Sequence, residues 1–132
     1  MKYLLTLALF VFSFSSFSQS EKIECGQIPM GNVDKKAVIK DDFNKKVTTT
    51  MDASLREDGS HQAIFKAYVD CNGDVLKSRF EKGDLDDAQQ KWLYNLIQDS
   101  KWTSAKLDGK AVTTIVFVTI DINNGQVTTS IQ

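Results

Sequence analysis

Three groups of side chains in this chain have types and spacings suited to chemistry: one histidine, a series of carboxylates and two cysteines. His61 is the only histidine among 132 residues. An imidazole is the natural general base near neutral pH, but no nucleophile motif accompanies this one. Its place where a loop enters a strand predicts a solvent-exposed side chain. Asp70, Asn72, Asp74 and Glu81 fall at positions one, three, five and twelve of an EF-hand calcium loop. Val75 holds the sixth position, where that loop's sharp turn wants glycine, and both flanks read as strands. A hairpin turn at Asn72-Gly73 accounts for the same residues. Asp84, Asp86 and Asp87 are grouped as catalytic carboxylates would be, yet at the start of a helix they serve as cap and first-turn charge. With one histidine and no Cys-x-x-Cys pair, ligands for a metal site are lacking, and no pattern calls for a cofactor. The sequence points away from an enzyme.

Cys25 and Cys71 are the only cysteines. In an oxidising compartment such a pair forms a disulfide, and the alternative is two buried free thiols. Closing a loop of this length stabilises a fold by roughly 4 kcal/mol in the chain-entropy model.

The elements that must position these residues centre on 84–102. Leu85, Ala88, Trp92, Leu93, Leu96 and Ile97 recur at three- and four-residue spacing, the mark of an amphipathic helix, with Asp84 as its expected N-cap. Trp92 and Trp102 are expected to anchor the core rather than line a ligand pocket. Upstream, Phe43, Val47, Met51 and Leu55 recur every four residues, predicting one short helix that ends at Glu57-Asp58-Gly59-Ser60. Thr48-Thr49-Thr50 are weak helix formers inside it. Ala63, Phe65, Ala67 and Val69 alternate with Ile64, Lys66, Tyr68 and Asp70, a strand pattern, and 75–80 forms a second strand after the Asn72-Gly73 turn. Asp108-Gly109 marks a further turn. The strongest strand signal is 111–122, with Val112, Thr114, Val116, Val118, Ile120 and Ile122 on one face, and Ile115 and Phe117 on the other. The expected fold is α+β, a small antiparallel sheet of three or four strands with two helices packed on one face.

The N-terminus predicts export. Lys2 precedes a short apolar run over 3–12, then serines, with Ser16-Phe17-Ser18 offering small residues at the positions a signal peptidase reads. Residues 1–18 are the expected signal peptide, 19–40 an irregular lead-in, and 41–132 the domain. An uncleaved anchor would need about 20 apolar residues to cross the hydrocarbon, more than this run supplies, so no stable membrane insertion is expected after cleavage. The whole chain carries a formal charge of −1. No basic block interleaved with aromatics appears, which argues against nucleic acid.

A resemblance covers about half the chain, 61–122. The run Phe65-Lys66-Ala67-Tyr68-Val69-Asp70-Cys71-Asn72-Gly73-Asp74-Val75 is similar to the strand-turn-strand opening of the TonB C-terminal domain. Leu85-Asp86 with Ala88, then Lys101-Trp102-Thr103-Ser104-Ala105, then Gly109-Lys110-Ala111-Val112 follow in the order of that family's helix start, its Lys-Trp-x-Pro-Ala element and its turn into a long final strand. Ser104 stands where the family has proline, and no proline-rich spacer is present, since Pro29 is the only proline. The resemblance implies a periplasmic module that grips a protein partner, an outer-membrane receptor, by strand addition. It places the partner-binding edge on Val116, Phe117, Val118, Thr119 and Ile120. Past that strand, Asn123-Asn124-Gly125-Gln126 has the composition of a turn and 127–131 is rich in β-branched residues. That tail is expected to fold back and cover the same edge. The competing expectation is a small secreted domain that binds a ligand or acts as an inhibitor, unconnected with transport.

Overall fold

The structure, a computed structural model, describes Cys25 and residues 29–40, 42–57 and 59–132. The expected signal peptide and the first part of the lead-in lie outside the described residues. The core is a four-stranded antiparallel sheet in the order β3-β2-β7-β8, in an α+β arrangement. Its strands are β2 (Ser60–Val69), β3 (Val75–Gly83), β7 (Thr114–Asn123) and β8 (Gln126–Ile131).

Period-two patterning decides which face is covered. Ala63, Phe65, Ala67 and Val69 of β2 are buried, as are Thr114, Val116, Val118, Ile120 and Ile122 of β7. Phe80 of β3 joins them edge-to-face with Phe65, ring centroids 5.5 Å apart. On the opposite face Ile64, Lys66, Tyr68, Ile115 and Thr119 are half-buried and Phe117 is exposed.

Helices cover the buried face. The main one, α3 (Asp87–Gln98), packs on β3 and β2 and buries Leu93 and Ile97 completely; each such side chain contributes about 1.5–3 kcal/mol. Its N-cap is Asp86, not Asp84. The Asp86 carboxylate accepts from the Gln89 N–H at 2.7 Å, and the Gln89 side chain accepts from the Asp86 N–H at 3.1 Å, a reciprocal capping box. Glutamine three residues on makes Asp86 the better cap.

The first helical stretch is two helices rather than one: α1 (Phe43–Thr50) and the four-residue α2 (Ala53–Arg56), separated by extended backbone at Met51. Thr48 and Thr50 turn their hydroxyls back onto the carbonyls of Asn44 and Lys46. Arg56 donates to the carbonyls of Thr48, Thr49 and Met51, satisfying acceptors that the end of α1 leaves open. Asp52 caps α2 through the Ser54 N–H. Phe43, Val47, Met51 and Leu55 are buried nonetheless. The Trp92 indole N–H donates to Thr50 Oγ1 at 2.9 Å, tying α3 to α1.

Shorter strands complete the chain. In the lead-in, β1 (Val38–Ile39) pairs with β4 (Trp102–Thr103). The run expected as one strand from 111 breaks at Thr113: β6 (Lys110–Val112) folds back on β5 (Ala105–Leu107), and β7 starts afresh. Asp108 and Gly109, at φ 52° and 77°, make the two-residue turn between β5 and β6, which the Asp-Gly pair favours. Among the described residues, no helix is long and apolar enough to cross a membrane.

Candidate functional site

The long strand β7 is interior. On one side it pairs with β2 along its whole length, from Ser60↔Asn123 to Val69↔Thr114. On the other side β8 pairs with it from Val118↔Ile131 to Asn123↔Gln126, and Phe117 and Gln132 exchange backbone hydrogen bonds at 2.9 and 3.0 Å. The expected edge at Val116, Phe117, Val118, Thr119 and Ile120 is therefore covered, and the outermost position belongs to β8. The cause is the turn at Asn124 and Gly125, both at positive φ (50° and 80°), the geometry of a tight hairpin. Asn124 fixes that turn to the start of β2: its side chain accepts from the Gly59 N–H, and its own N–H donates to the Gly59 carbonyl, both at 2.9 Å.

At the start of β7 the lead-in takes over the same side. The Met30 N–H donates to the Thr113 carbonyl at 2.9 Å, and Thr114 Oγ1 donates to the Met30 carbonyl at 3.2 Å. The segment is anchored by the disulfide between Cys25 and Cys71, whose Cα atoms are 5.6 Å apart. The Cys71 N–H also donates to Cys25 Sγ at 3.0 Å.

The two outer strands of the sheet differ in chemistry. Along β3, Lys77, Arg79, Glu81 and Lys82 bring charge, and the pairing with β2 shifts register twice. Both features discourage another strand from adding there. Along β8 the sequence Gln-Val-Thr-Thr-Ser-Ile carries no charge. The Phe117–Gln132 bonds set the alternation, so Ser130, Thr128 and Gln126 turn their backbone groups toward β7. Val127, Thr129 and Ile131 turn theirs outward. Among the described residues, no strand pairs on that outer side. Their side chains hold β8 in place: Val127 and Ile131 pack on the core, and Thr129 Oγ1 donates to Asn44 Oδ1 of α1 at 2.5 Å.

His61 opens into a cleft of about 580 Å³ with Lys82, Asp84 and Asp121 on its walls. Its Nδ1 lies 3.4 Å from Asp84 Oδ2. The other Asp84 oxygen accepts from the Gln62 N–H at 2.9 Å, and the Asp84 N–H donates to the Gln62 carbonyl at 3.2 Å. Asp84 thus extends the β2–β3 ladder by one residue, its carboxylate standing in for a backbone carbonyl. That N–H from Gln62, with His61 as a lesser contributor, holds the carboxyl below its usual value. Gln62 Nε2 donates to Asp121 Oδ1 at 2.9 Å, a cross-strand link between β2 and β7.

The calcium-like spacing resolves into turn chemistry. Asp70 Oδ1 accepts from the N–H groups of Asn72 and Asp74 at 2.8 and 3.0 Å. Asp74 pairs with Lys101 at 2.7 Å and Glu81 with Arg79 at 2.8 Å. Among the described residues, no group of three His, Cys, Asp or Glu side chains is placed to hold a metal ion. Trp102 is buried, its indole N–H donating to Ser100 Oγ at 2.9 Å. Trp92 is only partly buried.

Comparison of the chain with protein-family models, with curated proteins and with solved structures yields no match.

Proposed function

We propose that this chain is an exported protein-interaction module that takes up an extended segment of a protein partner by strand addition along β8. The observation that carries the proposal is the contrast between the two outer strands. The β8 side is uncharged and rich in β-branched residues, with the backbone groups of Val127, Thr129 and Ile131 facing outward, whereas β3 carries charge and register shifts. An unprotected edge of this kind is a template for another strand. The resemblance of 61–122 to the TonB C-terminal domain supports the same mode of binding and suggests an outer-membrane receptor as the partner. The receiving strand differs: here it is the folded-back tail. Export is supported by the apolar N-terminal run and by the Cys25–Cys71 disulfide, which belongs to an oxidising compartment.

The test uses Thr129→Pro, which removes an outward N–H and spares the bonds from Ser130 and Thr128 to β7. Proline is tolerated on an edge strand at such a position. Thr129→Ala controls for the lost hydroxyl. Immobilised wild-type protein and Thr129→Ala should retain the same outer-membrane protein from a detergent extract, and Thr129→Pro should lose it. Equal retention by Thr129→Pro, with its fold verified by circular dichroism, would overturn strand addition on β8.

A further inference from the structure

We propose that the uncovered face of the sheet holds a binding site for a phosphate group, built from Lys66, Tyr68, Lys77 and Arg79. The register brings these residues together. Lys66 and Tyr68 are two apart on β2 and share a face; across the ladder, Tyr68 stands opposite Lys77 and Lys66 opposite Arg79. Lys77 Nζ lies 4.4 Å from the centroid of the Tyr68 ring, and Lys66 Nζ lies 5.7 Å from it. One aromatic ring therefore gathers two ammonium groups that would otherwise repel each other apart, and it holds them by its π face. The four side chains, with Ser78, line a cleft of about 110 Å³. That is room enough for one oxyanion.

Charge selects the anion. Arg79 is engaged by Glu81, whose Oε1 receives both Nε and one terminal nitrogen at 2.8 Å, so that pair adds little net charge. Lys66 and Lys77 form no ion pair among the described residues. Two uncompensated positive charges match a phosphate monoester, which carries about −1.5 to −2 at pH 7, better than a single carboxylate. The second terminal nitrogen of Arg79 keeps its donors for the same group. The same monoester group is presented by a soluble phosphate ester and by the headgroup of phosphatidic acid.

The experiment is an amide NMR titration of the whole protein with inorganic phosphate, with sodium chloride at equal ionic strength as the reference. Shifts should concentrate at Lys66, Tyr68, Lys77 and Arg79 and saturate at roughly millimolar phosphate, and the double variant K66Q/K77Q should bind about tenfold more weakly or not at all. Neither lysine is in the core, so the variant keeps the fold. Co-sedimentation with phosphatidylcholine vesicles containing phosphatidic acid, against phosphatidylcholine alone, assigns the source. Retention on the anionic vesicles that K66Q/K77Q loses makes the group a lipid headgroup; phosphate shifts without retention make it a soluble ester. Shifts no larger than those from chloride, or equal in K66Q/K77Q, would overturn the site.

Discussion

Replacing Trp102 with alanine empties a buried position whose backbone meets the lead-in and the β2–β3 turn and whose side chain is tied to Ser100 at the end of α3. Trp102 is 3% exposed. Its backbone N–H donates to the Gly73 carbonyl at 2.9 Å, its residue pairs with Ile39, and its indole N–H donates to Ser100 Oγ. That hydroxyl in turn donates to the Ile97 carbonyl at 2.5 Å. Truncating a buried tryptophan costs ~3–5 kcal/mol, against a total of about 5–15 kcal/mol for a domain of this size. With a urea slope of about 2 kcal/mol/M, the midpoint should fall by about 2 M. Circular dichroism is the suitable probe, because the fluorescence itself changes with the substitution. Trp102→Phe keeps most of the buried ring and loses only the N–H, so its midpoint should fall less than half as far. A Trp102→Ala midpoint equal to wild type would show that the ring is not buried, and the packing described around it would be wrong.

Gly73→Ala and Gly109→Ala separate steric overlap from backbone strain. Both glycines have similar positive φ, 79° and 77°, but a Cβ at Gly73 would lie 2.0 Å from the Trp102 carbonyl oxygen, whereas at Gly109 nothing lies within 4 Å. Gly109→Ala should cost ~1–2 kcal/mol for the left-handed backbone alone, and Gly73→Ala clearly more; equal urea midpoints would refute the close approach. Asp84→Asn tests the carboxylate that completes the β2–β3 ladder. Because the folded-state pKa of Asp84 is lowered from 3.8, its contribution is present above that value and is lost as pH falls through the folded one. Wild type should therefore exceed Asp84→Asn in thermal stability at pH 6, and the gap should close as pH falls below 3.8 and through the lowered folded-state value. A gap unchanged with pH would refute the assignment. Reducing the Cys25–Cys71 disulfide should cost up to about 4 kcal/mol and speed amide exchange at Met30, the bond to Thr113 being the next anchor of the lead-in. Unchanged exchange at Met30 would show that the disulfide tethers nothing.

Much of the fold is legible because it rests on periodicity. The alternation in β2 and β7 identified the buried face, and the spacing of Leu93 and Ile97 identified that of α3. The Asn-Gly and Asp-Gly pairs marked turns whose positive φ values require such residues. The rest depends on competition between local choices. Asp84 and Asp86 both suit an N-cap, and only the reach of Gln89 decides between them. One four-residue period runs through Phe43 and Leu55 although the helix breaks at Met51, because both helices turn the same residues to the core. The break at Thr113 is hidden within a continuous β-branched run: the Asp108-Gly109 turn signals a return strand, but nothing local says where that strand stops and β7 begins. The candidate site was the least legible part. An edge is a property of the whole sheet: the family resemblance pointed to residues 116–120, and those residues themselves do not say whether another strand lies beside them. The turn at Asn124-Gly125 was the signal that one does.

Strand addition along β8 is tested most directly by amide hydrogen exchange in the complex with the partner captured through that edge. The amides of Val127, Thr129 and Ile131 face outward in the free protein and should exchange fast, while those of Thr119 and Asp121, which β8 covers, exchange slowly. On binding, the amides of Val127, Thr129 and Ile131 should become protected together, in alternation with Thr128 and Ser130, which change little. If the three stay fast while protection appears along β3 or elsewhere, the partner does not add a strand at β8.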